Sequence, residues 1–454
     1  MRFDIAVIGG GPGGTAAAEA AARRGRNVVL FERDLLGGTC LNRGCVPTKA
    51  LIHSAEAYAL LREGAVAGIE ATDVHHDLAA MHARKEQVVT ALREGLAKQM
   101  KARKVTVVEG EAQLAGPGTV VCDGETYEVD DIIIATGSAP RVPPIPGADL
   151  PGVITSDDIL EGEVIDYESL VIIGGGVIGM ECAGIYSALG CKVTVVEMCD
   201  RILPLMDREV SQRLARACKR RGVDIQTKAR VCGIEAGEGV LCVAYTDKKG
   251  ADQVVEAQGV LIATGRGAMT EGLLADDGML GVERGAVVTD EQGLTDMPHV
   301  WAIGDVRAGT VQLAHVAAAQ GRNVVAAICG EPAPLDESCI PSCVYTTPEI
   351  ATVGLSEDEA KAQGIAVRCA KQLTGANAKS LIEGAEGGYV KLVAAEDDLR
   401  ILGAQLVCPR ATDIISELAV AVSRGMTAGE LAGVIHPHPT VSEMVFDAAE
   451  MLLS

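Results

Sequence analysis

Aromatic side chains are scarce in this chain. Its 454 residues hold three Phe, one Trp and seven Tyr, so aliphatic packing has to dominate the core. Cationic excess is lacking too. Forty Lys and Arg stand against 62 Asp and Glu, a net charge of −22. No nucleic-acid partner is expected, because a phosphate backbone demands cationic contacts. No apolar run approaches the roughly 20 residues that span a bilayer, so no membrane partner is expected. The fourteen cysteines contain no C-x-x-C pair with zinc spacing, and no metal is expected. The opening Met-Arg-Phe-Asp-Ile-Ala-Val-Ile enters a strand-like segment at once, unlike a signal peptide. A cytoplasmic location is expected.

What is present begins with a repeat. The length allows about three domains, and hydrophobic residues make up 48% of the chain. Residues 4–14 read Asp-Ile-Ala-Val-Ile-Gly-Gly-Gly-Pro-Gly-Gly, and residues 170–179 read Leu-Val-Ile-Ile-Gly-Gly-Gly-Val-Ile-Gly. A helix, a turn and a second strand follow each. The second strands end at Glu32 and Glu197, in both cases 23 residues after the first glycine. A lone G-x-G-x-x-G is weak evidence, but strand before, helix after and acid at the second strand's end make it specific. Gly9 and Gly174 permit the tight turn. Gly11 and Gly176 let the backbone approach a pyrophosphate, and Gly14 and Gly179 let the helix pack on the strand. Glu32 and Glu197 can accept hydrogen bonds from a ribose diol. A carboxylate at 197 would repel a 2′-phosphate, so NAD is expected there over NADP, with Arg201 the nearest countervailing cation.

Matching strand-to-turn endings follow the two units, at residues 132–137 and 261–265, each closing in Ala-Thr-Gly. The Pro-rich stretch 139–151 reads as a connector, and residues 78–101 as a helix. After about Pro334 the glycine pattern fades. Strands are expected at 389–393 and 401–407 and a helix at 412–424. The expected class is α/β, with two Rossmann-like dinucleotide-binding domains and a C-terminal α+β domain.

Cys40 and Cys45 stand just after the first unit, in Gly-Gly-Thr-Cys-Leu-Asn-Arg-Gly-Cys-Val-Pro-Thr-Lys. Residues five apart in a regular helix differ by roughly 140° and about 7.5 Å along the axis, whereas a disulfide needs Cα atoms within about 7 Å. An undistorted helix would keep the sulfurs apart. Gly44 and Pro47 offer ways to break it. By spacing alone the two could equally be unrelated buried thiols.

Taken in order, these motifs resemble those of the two-dinucleotide flavoprotein disulfide reductases, the class I pyridine nucleotide-disulfide oxidoreductases. Within them the dihydrolipoamide dehydrogenases are most similar. The resemblance rests on residues 9–14, 40–45, 174–197, on Thr-Asp-Met-Pro-His-Val-Trp-Ala-Ile-Gly-Asp at 295–305 and on Ile-His-Pro-His-Pro-Thr-Val-Ser-Glu at 435–443. It covers essentially the whole chain. It implies FAD in the first unit (1–145 and 271–334), NAD in the second (146–270) and a dimerisation domain at 335–454. Asp305 would hold the ribityl chain, Ala112 would lie by adenine, and Ala314 and His315 beside the flavin ring. Thr39, Thr136, Gly137 and Gly265 join the cofactor contacts. Lys49 and Glu181 look like the family's ion pair near flavin N5, placing a cation by the negative charge of the reduced ring.

The resemblance also makes His438 the base and Glu443 its orienter, with His436 the rival. A thiol is a poor nucleophile until deprotonated, and a histidine near pH 7 suits that task. In the family this histidine comes from the partner subunit, so a homodimer is implied. The implied reaction oxidises a dihydrolipoyl group at Cys40, with electrons passing from Cys45 through FAD to NAD. The implied partner is a separate lipoyl-bearing protein of a 2-oxo acid dehydrogenase or glycine cleavage complex. Mercuric and large thioredoxin reductases carry a C-terminal cysteine pair, whereas this chain ends Glu-Met-Leu-Leu-Ser. Glutathione and trypanothione reductases favour NADPH. A docking subunit or a flavin-bound redox sensor is the alternative from another class. Arg266-Gly267-Ala268-Met269 departs from the family, which often has a proline-asparagine pair there.

Overall fold

Ile132, Ile133 and Ile134 are all fully buried, as befits a parallel strand covered on both faces. They close the strand Glu125–Ile134, which pairs with Arg2–Ile8. The computed structural model describes residues 1–62, 68–275, 278–385 and 387–454. Among these residues the first sheet runs Thr106–Glu109, Val28–Glu32, Arg2–Ile8, Glu125–Ile134, Thr119–Cys122 and Ala112–Gly116. The first four strands are parallel, and the last two turn back antiparallel. Val300–Ala302 joins from far along the chain, with Val300 opposite Ile132.

Between those two visits the chain builds a second sheet. It runs Asp224–Thr227, Lys192–Glu197, Ser169–Ile173, Gly259–Ile262 and Val153–Thr155, all parallel. The outgoing segment Ser138–Pro140 pairs antiparallel with the returning Arg266–Ala268. Exit and re-entry are therefore one ribbon, and the two glycine units face a shared space. The small residues of the helix Pro12–Arg23 let the helix Ala314–Ile328 approach closely. A Cβ on Gly321 would meet the Gly13 carbonyl oxygen at 2.5 Å.

The third sheet is antiparallel: Ser342–Val344, Ile350–Gly354, Ile401–Val407, Tyr389–Ala395 and Val367–Leu373. Alternation sends its side chains to two different cores. Val390, Leu392, Ala404 and Leu406 pack under the helices Ala411–Ser423 and Glu443–Leu453. Tyr389 and Val407 face the other way, into one cluster with Leu203, Val210 and Leu214 of the second unit. Each such aliphatic side chain, once buried, contributes about 1.5–3 kcal/mol, so this seam is a packed core. Among the described residues no helix is long and apolar enough to cross a membrane.

Charge is buried at the same seam. The Lys391 side chain is 7% exposed, with Nζ 2.7 Å from Glu357 and 3.7 Å from Asp207. Lys361 and Lys391 hold the Glu357 carboxyl down to about 2, from an ordinary 4.5. A depressed pKa stabilises the fold fully above the unfolded value, and that contribution fades as pH falls from about 4.5 through about 2. Glu357→Gln should therefore lower the unfolding free energy at neutral pH by on the order of 1 kcal/mol, given partial solvent screening. The difference from wild type should narrow as pH drops from about 5 toward about 3. A difference that stays constant over that range would refute the ionic origin.

Candidate functional site

Both glycine turns open onto one cavity of about 2160 Å³. Gly9 and Gly174 have φ of 107° and 110°, the left-handed region that L side chains resist. A Cβ on Gly9 would overlap the Ala135 carbonyl oxygen, and one on Gly174 that of Ala263. The paired Ala-Thr-Gly endings are thereby explained: each supplies the carbonyl that its glycine turn packs against. Gly14 and Gly179 sit beneath the turns, pressed on the Gly9 and Gly174 carbonyls, and do not line the cavity.

Gly11 and Gly176 differ from these. Nothing lies within 4 Å of a Cβ built on either. Each caps its helix, Pro12–Arg23 or Val177–Ala188, with no side-chain cap bond. The first-turn N–H groups therefore face open space at the positive end of a helix dipole, which suits a phosphate. The acids repeat as closely. Glu32 accepts from the Gly10 and Asp34 N–H groups at 2.7 and 2.9 Å. Glu197 accepts from those of Gly175 and Cys199, both at 2.6 Å. Each carboxylate keeps lone pairs for a sugar hydroxyl. The residues thus fit two dinucleotides. Arg201 is committed elsewhere, to Asp200 at 3.1 Å and to the Pro204 carbonyl at 2.9 Å.

Thr39, Ala112, Thr136, Gly137, Gly265, Asp305, Ala314 and His315 also line the cavity. Asp305 Oδ2 accepts from Ser138 Oγ at 2.6 Å. His315 Nε2 lies 2.8 Å from the Pro341 carbonyl oxygen, so the main chain holds that ring.

The two cysteines are carried by two helices, not one. Cys40 lies in Gly38–Arg43, and Cys45 opens Cys45–Arg62. The break is at Gly44, with φ −145° and ψ −111°. A Cβ there would come within 2.9 Å of the Thr39 carbonyl oxygen. Pro47 does not break the chain. It is the third residue of the second helix, where a missing N–H removes no helical bond.

Pairing with the neighbouring Cys40 thiol, with Lys49 in support, brings Cys45 down to about 7, while the same pairing and burial push Cys40 far up. Position at a helix N-terminus favours the Cys45 thiolate further. Burial pushes the neighbouring cavity thiols Cys182 and Cys343 up to about 12 and about 11. Lys49, one turn after Cys45, holds Glu181 through Nζ at 2.8 and 3.0 Å. The Glu181 side chain is 4% exposed and also accepts from the Tyr345 N–H at 3.0 Å. The Tyr345 ring lies 4.6 Å from Lys49 Nζ, so the ammonium is fixed by a carboxylate and a π-face.

His438 and Glu443 meet each other but not the cavity. His438 Nδ1 is 2.9 Å from Glu443 Oε1, the Thr440 N–H holds the other carboxylate oxygen at 2.9 Å, and the His438 side chain is 71% exposed. Neither residue lines the cavity of its own chain. His436 is enclosed, with its ring nitrogens on the Val434 carbonyl at 3.0 Å and Glu417 at 2.8 Å.

Sequence reasoning missed Asn42 and Arg266. Asn42 donates to the carbonyls of Leu35, Leu36 and Gly38 and accepts from Arg93 at 3.0 Å, pinning the helix that bears Cys40. Arg266 donates to Ser138 Oγ and O at 2.8 and 2.6 Å and reaches Thr39 Oγ1 at 3.5 Å. Its place directly after the second Ala-Thr-Gly was the available signal.

Two dinucleotide cradles and an activated dithiol in one cavity define a nucleotide-linked thiol oxidoreductase. The family model for pyridine nucleotide-disulphide oxidoreductase matches residues 3–321, and its dimerisation domain matches 340–449. The chain belongs to that family. It is 39% identical to a dihydrolipoyl dehydrogenase of Bacillus subtilis, over 99% of this chain and 97% of that one. It is 38% identical to a dihydrolipoyl dehydrogenase of Halobacterium salinarum, over 99% and 96%. Among solved structures, LpdA from Mycobacterium tuberculosis superposes with a TM-score of 0.90 at 28% identity over the whole of both chains. The HOCl-induced flavoprotein disulfide reductase RclA from Escherichia coli gives 0.87 at 29%, over 99% and 100%.

The cradles make a paired test. Gly176→Ala meets no atom of the protein, so it should melt like wild type yet bind nucleotide at least about tenfold more weakly. Gly179→Ala must displace the Gly174 carbonyl and should lose both stability and binding. Unchanged nucleotide affinity in Gly176→Ala, measured by calorimetry, would refute the cradle. For the thiols, alkylation of the reduced protein by iodoacetamide should rise with pH about a midpoint near 7. Lys49→Met should move that midpoint upward, and an unmoved midpoint would remove Lys49 from the account.

Proposed function

We propose that this chain is a dihydrolipoyl dehydrogenase, oxidising protein-bound dihydrolipoyl groups with FAD in the first glycine unit and NAD in the second. The observation that carries this reading is the Cys40–Cys45 pair, lying with both dinucleotide cradles in one cavity and with Lys49 and Glu181 at its side. Bound FAD and NAD supply the relay that turns a two-electron thiol oxidation into hydride transfer.

The sulfur half follows from the residues. His438 of a second copy takes the proton of one substrate thiol. The thiolate attacks the Cys40 sulfur of the oxidised pair, which breaks the bridge and releases Cys45 as thiolate. The second substrate thiol then attacks the mixed disulfide, closes the lipoyl ring and frees Cys40. The substrate has lost two electrons and the Cys40–Cys45 pair has gained them. Cys45, the thiol of lowered pKa, is the better leaving group, and Cys40 ends as the protonated partner. Lys49 keeps positive charge beside Cys45. Glu443 would orient the His438 ring and stabilise its cation.

The exposure of His438, and its distance from its own cavity, support a homodimer in which each copy completes the other. The dimerisation-domain match agrees with such an assembly. The partner on this reading is a lipoyl-bearing protein of a 2-oxo acid dehydrogenase or glycine cleavage complex, met in the cytoplasm. Glu197, with Arg201 engaged by Asp200 and the Pro204 carbonyl, supports NAD over NADP.

Steady-state assay with lipoamide, glutathione disulfide and Hg²⁺, each with NADH and NADPH, tests the reading. Lipoamide with NADH should be fastest. Preference for either of the other acceptors would replace it with another reductase of the family. His438→Gln should slow lipoamide turnover by about 10²–10⁴-fold and spare NADH oxidation by artificial acceptors. Equal loss of both would count against the base assignment.

A further inference from the structure

The wall of the Glu197 side of the cavity is a loop, residues 198–206. Met198, Pro204 and Leu205 line the cavity there, and Leu205 is 98% exposed. At its inner edge the Leu203 N–H donates to the Gly175 carbonyl at 2.8 Å, so loop and glycine turn move as one. The loop ends at Asp207, which caps the helix Arg208–Arg220 by accepting from the Glu209 N–H at 2.7 Å.

Asp207 is 5% exposed and faces the third domain. Its counter-charge is Lys391 Nζ at 3.7 Å, shared with Glu357 at 2.7 Å. Two residues further, Lys371 Nζ holds Glu209 at 2.6 Å. Lys391 stands opposite both Lys371 and Gln405 in the sheet, on the face that packs against the second unit. A buried ammonium is costly unless closely paired, so this site is built, and its geometry is tightly set.

We propose that Lys391 is a positioning residue for the pyridine nucleotide. Through Asp207 it fixes the 198–206 loop, and with it Gly175 and the Glu197 carboxylate, from a different domain. This rests on the reading of the second glycine turn as the NAD site. Losing either charge of the Asp207–Lys391 pair unties the loop from the third domain, and the loop is then free to shift.

The test uses the FAD-loaded dimer. In Lys391→Met the dissociation constant for NAD, by calorimetry, and the KM for NAD should both rise about fivefold or more. The kcat at saturating NAD and the rate of FAD reduction by dihydrolipoamide without NAD should stay within about twofold of wild type. Amide exchange of residues 199–206 should quicken. Asp207→Asn keeps a capping acceptor and drops the charge, so it should give the same split even if Lys391→Met fails to fold. Unaltered NAD affinity in Asp207→Asn, or parallel loss of both half-reactions, overturns the proposal. A wild-type protein that binds no NAD would instead overturn the reading beneath it.

Discussion

A cysteine thiol of ordinary pKa near 9 is only about 1% ionised at pH 7, whereas one near 7 is about half ionised. That difference rests on the pairing of Cys45 with the neighbouring Cys40 thiol, and the site depends on it. It requires two sulfurs five residues apart to meet, and hence a helix broken between them. Gly44 makes the break. Lys49 then lies one turn along the second helix, where its charge reinforces the same thiolate. Glu181, from the second unit, holds the lysine in place. Reactive sulfur, cation and carboxylate come from two units, so the chemistry exists only where the units meet.

The two cradles show how little is needed to repeat a binding site. In each copy the strand-end carboxylate takes the N–H of the middle glycine and that of the residue two beyond the acid. The acid thus holds its own turn together before any sugar arrives. In each copy the first glycine packs on the alanine carbonyl of a strand that enters the sheet much later in the chain. The turn is shaped from both sides, which pre-organises the open space at Gly11 and Gly176.

Local constraints were the ones legible in the sequence. The α/β class, both glycine turns and the strand-end acids follow from spacings within about 25 residues. The expected helix at 78–101 and the strand at 401–407 stand as Leu78–Ala102 and Ile401–Val407. The sequence offered both Gly44 and Pro47 as breaks. Choosing between them needed the knowledge that Pro47 falls in a first helical turn. Asn42, Arg266 and Lys391 were illegible for another reason. Arg93 is 51 residues from Asn42, Ser138 is 128 from Arg266, and Asp207 lies in a different domain from Lys391. No periodicity in one segment reports such partners. His438 and Glu443 were legible as a pair, but their separation from the cavity of their own chain was expected only through the family resemblance and not from any local spacing.

The third sheet carries the remaining consequence. Its two faces serve opposite neighbours: one packs under its own helices, and the other receives the second unit through Tyr389, Val407 and the Lys391 charge cluster. His438 is carried at the outer edge of this same domain. The helix Glu443–Leu453, which His438 precedes by five residues, packs on one face of that sheet, and the Lys391 pair with Asp207 lies on the other. The third domain thus meets the second unit of its own chain on one face, while the segment that carries His438 and Glu443 stays clear of the cavity of its own chain.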